Sequence, residues 1–321
     1  MDFIILLYIF YFIVFVGFLS STFTFFHYLF YVKTKTSYGI ICLSLSFSNI
    51  LALLPMIFFI LFVDTKLYDI SENVNQKFGL LFLLGYYSNT FCKVLISINR
   101  FVAIHLPIKY DNIFCKKNIY WACFIYWFMS ILMCIPFSLN QNCYFEYLNY
   151  ILSYAKTDFC LYISSILNFF FGITIAFTII LIDTSIFFLL IIKKYFIIDS
   201  KKIKIKKKDF KSHSGISLKL NLTIFYRTFI SNCLFVFTII SLRYISREFS
   251  NNFNMFFVST SFTWATYHTI DGIVVGLLNK DVRKHLKSFV CLYRDTKKIS
   301  ITKKTLSKKS KTPVNLPKNI M

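Results

Sequence analysis

Residues 159–192 read FCLYISSILNFFFGITIAFTIILIDTSIFFLLII, and residues 193–219 continue as KKYFIIDSKKIKIKKKDFKSHSGISLK. The first stretch carries one charge, Asp183. It exceeds the roughly 20 apolar residues that cross a bilayer as a helix. The second stretch carries ten Lys. A loop this basic stays on the cytoplasmic side when its helices insert. One junction therefore supplies both a membrane span and its direction.

The same pattern recurs along the chain. Apolar blocks at about 4–31, 38–63, 78–104, 119–139, 220–242 and 255–278 bring the expected spans to seven. Short polar stretches such as Asp64-Thr65-Lys66 and Asn251-Asn252 separate them. None of the blocks alternates apolar and polar residues as barrel strands do. Hydrophobic residues make up 57% of the chain and charged residues only 16%, against about 25% charged in a soluble domain. Phe is abundant at 41 residues, but Ile, Lys, Asn and Tyr are high with it. That joint bias is compositional and carries no functional weight.

The loops that alternate with these spans divide the basic residues unequally, with 28 Lys or Arg on one side and 5 on the other. The rich side includes the tail from Lys280, so the C-terminus is expected in the cytoplasm and the N-terminus outside. The first span lacks a basic leader and is longer than the roughly 7–15 residues of a signal-peptide core. It reads as a permanent helix, with too little chain before it for a separate ligand-capturing domain. The net charge of +22 belongs to loops that face anionic lipid; nucleic acid is not an expected partner. The expected fold is an all-α membrane protein, a seven-transmembrane-helix bundle. The membrane domain covers 1–292, and a basic tail, 293–321, is too polar to bury a core. After the seventh span, Val282, Leu286, Phe289, Val290 and Tyr293 recur at steps of three or four with Arg283, Lys284 and Lys287 between them. That spacing predicts a short amphipathic helix on the inner membrane surface.

Ionisable residues inside a membrane are costly and face the bundle interior. Here they are Lys93 and Arg100 in helix three, Asp183 in helix five, Arg227 in helix six and Asp271 in helix seven. Counting about 1.5 Å per residue places Asn49, Lys93 and Asp271 at matching depth, roughly 13–18 Å from the cytoplasmic ends of their helices. They are expected to form a polar core. Asp183 and Arg227 also match in depth, which makes an ion pair between helices five and six the natural expectation. Such groups read as structural staples before they read as ligand contacts, and a staple between moving helices is also a switch element. Lys93 and Arg100 are seven residues apart and share one helix face with Asn89. Near the cytoplasmic end, the Arg100 guanidinium is a permanent cation with several donors. It can lock helix three to a neighbour and then release it to an intracellular partner.

Asn99-Arg100-Phe101 followed by Pro107 resembles the Asp-Arg-Tyr region of rhodopsin-like G-protein-coupled receptors. More of the chain, from about 37 to 285, is similar to the nematode chemosensory serpentine receptors of class X (Srx). The residues that carry this are Ser37-Tyr38-Gly39-Ile40-Ile41-Cys42, Asn99 to Ile104 with Pro107, Lys109, Tyr110, Ile113 and Phe114, and Trp127 with Pro136. Cys143, Cys160, Asp183, Phe262-Thr263-Trp264, His268, Asp271-Gly272 and Leu278-Asn279-Lys280 complete the set. The resemblance implies a plasma-membrane chemoreceptor in a sensory cell, its cilium included, that binds a small extracellular ligand and activates a heterotrimeric G protein. Asn99, Arg100 and Phe101 would then form the coupling switch. Departures from the rhodopsin pattern are plain. Asn99 replaces the acid beside Arg100, helix six has no Pro, and Asp271-Gly272-Ile273-Val274-Val275 replaces the usual Pro-containing run of helix seven.

Of nine Cys, Cys143 and Cys160 alone fall on the oxidising side away from a helix core. They are either bridged across the second outer loop or two separate thiols; the bridge is the favoured reading. The ligand wall is expected from the outer halves of helices three, five, six and seven, at Tyr86, Tyr87, Asn89, Phe262 and Trp264. Trp264, His268 and Asp271 share one face of helix seven, but no third ligand with metal spacing accompanies the His and Asp. No cofactor is expected. A channel or transporter, the alternative function, would show repeats, broken helices or charged rings. An enzyme would cluster His, Cys or carboxylates near one interface. Neither pattern is present in the sequence.

Overall fold

The computed structural model describes residues 2–31, 36–62, 71–139, 142–148, 150–202, 226, 229–277 and 282–283. The chain divides into two compact units, Met1–Gly276 and Leu277–Met321; the helical bundle and its sites lie in the first. In the second, residues 282–283 are helical. The rest of the expected amphipathic helix, and the tail 293–321, lie outside the described residues.

Helix α1 spans Phe3–Phe26 and continues through a π turn, His27–Tyr31. Helices α2 (Ser37–Phe62), α3 (Glu72–His105) and α4 (Lys116–Leu139) follow. Between α3 and α4 lies one helical turn, Tyr110–Ile113. Helix α5 spans Asp158–Ile192 and α6 spans Phe229–Glu248. These six are long and apolar enough to cross a membrane among the described residues. The seventh expected span is helical from Phe253 to Leu277, in three segments that include a π stretch, Val258–Phe262. This helix, α7, is not among the six. Its sequence carries Ser259, Thr260, Ser261, Thr263, Thr266, His268, Thr269 and Asp271, which lower its hydropathy because they face the bundle.

The surface is inverted relative to a soluble protein. Tyr8, Phe12 and Phe15 on α1, Trp121, Phe124 and Phe128 on α4, and Phe170, Phe177 and Phe188 on α5 are all exposed. Lys93, Asp183 and Asp271 are buried. Only a hydrocarbon solvent makes that arrangement favourable. Helix α3 packs against α2, α4 and α5. It is 67% buried across its membrane window, against 22% for α1. It is the axis on which the other helices are placed.

Small residues set the closest approaches. A Cβ on Gly17 of α1 would collide with the Thr269 hydroxyl of α7, and one on Gly272 would collide with that of Ser21. Packing of this kind replaces the hydrophobic drive that helices lack in lipid.

The connection between α4 and α5 adds a feature that hydropathy does not show. Strands β1 (Phe145–Leu148) and β2 (Ile151–Tyr154) form an antiparallel hairpin, with Phe145 opposite Tyr154 and Leu148 opposite Ile151. Tyr150 at the reversal has φ 68°, a left-handed conformation that costs a Tyr roughly 1–2 kcal/mol. The Phe3 ring stands 5.4 Å from it, edge to face. The hairpin borrows its edge partners from helices. Asn75 of α3 accepts from the Tyr147 N–H at 3.0 Å and donates to the Tyr147 carbonyl at 2.9 Å. Ser261 Oγ of α7 accepts from the Leu152 N–H at 2.8 Å. A disulfide joins Cys143, just before β1, to Cys160 in the first turn of α5. Thr157 caps that turn by accepting from the Cys160 N–H at 3.2 Å.

Candidate functional site: a buried polar knot beneath a hairpin-roofed cavity

Asn89, Lys93, Ser97 and Arg100 form one stripe along α3, and all four are buried. One turn before it, Gly85 brings α2 close. A Cβ there would stand 2.5 Å from the Ala52 nitrogen and 2.8 Å from the Ser48 carbonyl oxygen. That approach puts Asn49 of α2 within reach of Asn89.

The Asp271 carboxylate is the centre of the knot. Its Oδ1 accepts from Lys93 Nζ at 2.9 Å and from the Ser231 hydroxyl of α6. Its Oδ2 accepts from Asn89 Nδ2 at 2.8 Å and Asn49 Nδ2 at 3.3 Å. A carboxylate can only accept, so it fixes the direction of every bond further out. Asn49 must turn its amide nitrogen to Asp271, leaving its Oδ1 to accept from Asn89 Nδ2 at 2.7 Å. His268 Nδ1 stands 2.9 Å from that same Oδ1, which makes it the protonated ring nitrogen. Tyr267 donates its hydroxyl to Asn89 Oδ1 at 2.6 Å. Lys93 Nζ also donates to Ser231 Oγ and lies 4.8 Å from the Tyr267 ring centre. Lys93 and Asp271 are 3% and 2% exposed. Their charges cancel, and further hydrogen bonds complete both groups, as a buried ion pair requires.

A second layer lies one turn along α3. Asp183 of α5 accepts from Asn232 Nδ2 at 2.6 Å and from Ser97 Oγ at 3.4 Å. Ser231 and Asn232 are consecutive, so α6 is tied to two different carboxylates by adjacent residues. Arg227, the expected partner of Asp183, lies outside the described residues. Ser231, Asn232 and Tyr267 were not anticipated from the sequence. Ser231-Asn232 is a polar pair inside an apolar stretch and could have been noticed. Nothing distinguishes Tyr267 among 21 Tyr.

At the far end of the stripe, Arg100 Nη2 donates to the Tyr38 hydroxyl of α2 at 3.3 Å. The Asn99 amide donates to the Tyr110 hydroxyl at 3.1 Å, fastening the turn Tyr110–Ile113 to α3. Phe101 stacks on His105, ring centres 5.2 Å apart. The Arg-bearing end is thus tied to α2 and to the following turn through tyrosine hydroxyls, with Asn99 in place of an acid next to Arg100 in the sequence.

At the hairpin end of the bundle, a cavity of about 300 Å³ opens between β2, α3, α5, α6 and α7. Tyr86 and Trp264 line it, with Leu152, Tyr154, Phe169 and Ile239 among the other walls. Tyr87 is fully buried and donates to Asn168 Oδ1, itself a lining residue, at 2.8 Å. Asn89 belongs to the knot. Phe262 lines a separate cavity of about 240 Å³ between α6 and α7. The helices α5, α6 and α7 each widen to π geometry, at Ser165–Phe170, Ser241–Ile245 and Val258–Phe262. Each of these segments contributes to the first cavity, through Phe169, Arg243 and Thr260. π segments inside α-helices concentrate at functional sites. No group of His, Cys, Asp or Glu fit to hold a metal occurs among the described residues.

The family model described as serpentine type 7TM GPCR chemoreceptor Srx matches residues 11–279. The chain belongs to the Srx chemoreceptor family. Comparison with curated proteins finds no match. Membership in Srx makes this a multi-pass plasma-membrane receptor with a G-protein-coupled type of signalling function, and places it among receptors rather than enzymes. Every element of the knot and the cavity falls inside the matched segment.

Proposed function

We propose that the chain is a seven-span chemoreceptor, N-terminus outside and C-terminus in the cytoplasm. A small extracellular ligand enters the hairpin-end cavity, and a heterotrimeric G protein engages the Arg100 end. The observation that carries this reading is the continuity of polar contacts along α3. Tyr86 lines the cavity, Asn89 and Lys93 join the knot, Ser97 meets Asp183, and Arg100 sits at the opposite mouth. Helix α6 is held at two adjacent points on that line. A ligand that favours a displaced α6 would shift the state that the G protein also reads, and by linkage each would tighten the other. Asn99, Arg100 and Phe101 form the coupling surface in this reading, and the knot is the element with two arrangements. The ligand wall is Tyr86 and Trp264, with Tyr87 supporting it from behind.

The test is nucleotide exchange on a panel of Gα subunits by the full chain in lipid nanodiscs, screened against volatile and water-soluble metabolites. An activating ligand is expected, and Arg100→Ala should lower exchange about tenfold or more while ligand binding persists. Ion current in the absence of any G protein would support a channel instead.

A further inference from the structure

From the lining of the hairpin-end cavity we infer the chemical class of its occupant, a small organic anion with an apolar body. This rests on the proposal that the cavity is the ligand site. The walls are mainly aromatic and aliphatic, as ligand sites of this size are. Two cations, Lys156 and Arg243, line the cavity and no carboxylate does. Neither cation forms an ion pair among the described residues. Arg243 is positioned rather than loose. Its Nη1 donates to Ser165 Oγ at 3.2 Å, and its guanidinium lies 5.2 Å from the Phe169 ring centre. Ser165 and Phe169 are themselves lining residues in the π segment of α5, and Arg243 lies in that of α6. The cation–π contact and one bond leave other donors of the guanidinium fork for a carboxylate or similar oxyanion.

One wall residue also carries an unpaired donor. Trp264 lines the cavity, is 3% exposed, and its indole Nε1 has no hydrogen-bond partner among the described residues. An indole N–H is a donor only, and a buried donor left unpaired is costly. The two cations at the rim select a negatively charged head. The apolar walls select the remainder. A cationic ligand would meet two like charges.

The experiment uses the full chain in nanodiscs of zwitterionic lipid, without a G protein. Straight-chain and aromatic carboxylic acids of increasing length are the probes, each with its amide and its amine. Binding is read by tryptophan fluorescence and by thermal stabilisation. We expect the acids to bind about tenfold or more tighter than the matched amides, and the amines not to bind. Arg243→Gln should erase the acid preference, and an unchanged unfolding temperature of the unliganded variant would show that it folds. Trp264→Phe should weaken acid and amide alike, since it trims an aromatic wall that both would share. Equal binding of acids and amides, preferential binding of amines, or no binding of any acid would each overturn the inference. If acids bind but drive no exchange on any Gα, the anion site stands and the receptor proposal falls. If a non-anionic ligand drives exchange through this cavity, the reverse holds.

Discussion

Asp271 accepts hydrogen bonds from α2, α3 and α6, and its partner Lys93 is equally buried. At this scale the two charges stand or fall together. Asp271→Asn alone leaves the Lys93 ammonium uncompensated and should cost about 3–5 kcal/mol. Adding Lys93→Met removes the second charge, while the amide oxygen introduced at position 271 still accepts from Asn49 and Asn89. The double variant should therefore recover most of that loss. Chemical or thermal unfolding of the four members of the cycle measures the coupling; additive single effects would contradict it. The sequence shows that Lys93, Asp271 and Asn49 are polar groups in spans of matching depth. It does not show which atoms meet, because rotation about each helix axis is set by packing at places such as Gly85.

The hairpin is an element whose seat depends on helices far from it in sequence. A Cβ on Gly79 would collide with the Phe145 carbonyl oxygen, so α3 lets the strand rest directly on its backbone. Glu146 on β1 is partly buried, and burial first, then the neighbouring charge of Glu72, raises its carboxyl above the usual range. The neutral form is thus favoured in the folded hairpin, which binds protons more tightly than the unfolded chain. Stability therefore falls as pH rises through the window from the ordinary carboxylate value to the raised one, and stays lower above it. Glu146→Gln should stabilise the hairpin slightly at pH 7 and flatten this dependence. Hydrogen exchange at residues 145–154, followed from acid to neutral pH, checks it; an unchanged pH profile would contradict it. The hairpin itself was not legible in the sequence. A short amphipathic stretch between two long apolar blocks looks like any loop until its edge partners, Asn75 and Ser261, are known. The Cys143–Cys160 bridge closes the same segment.

For the whole molecule, the excess of Lys and Arg on one side, 28 against 5, predicts the orientation. An epitope fused after Met321 should be accessible to antibody only in permeabilised cells. Surface labelling of intact cells would invert the proposed direction, and with it the assignment of the cavity to the extracellular side. The seventh span belongs to this scale as well. Helix α7 pairs with α1 through Gly17, Ser21 and Gly272, and its polar face supplies Asp271, His268, Tyr267 and Ser261 to the interior. Its hydropathy is low because its work is inside the bundle.

The sequence by itself determined the solvent of this protein and the approximate ends of its helices. Apolar length and loop charge are local quantities, and a bilayer acts on them directly. It also determined the family, because motif order survives along a chain. Tertiary structure alone decided that Asp183 meets Asn232 and Ser97, that Arg100 is clasped by Tyr38, and that Phe262 lines a different cavity from Trp264. Each of those depends on the rotation of a helix, and the division of the two cavities also on local π widening. Both arise from side chains packing between helices distant in sequence, and no single helix encodes either.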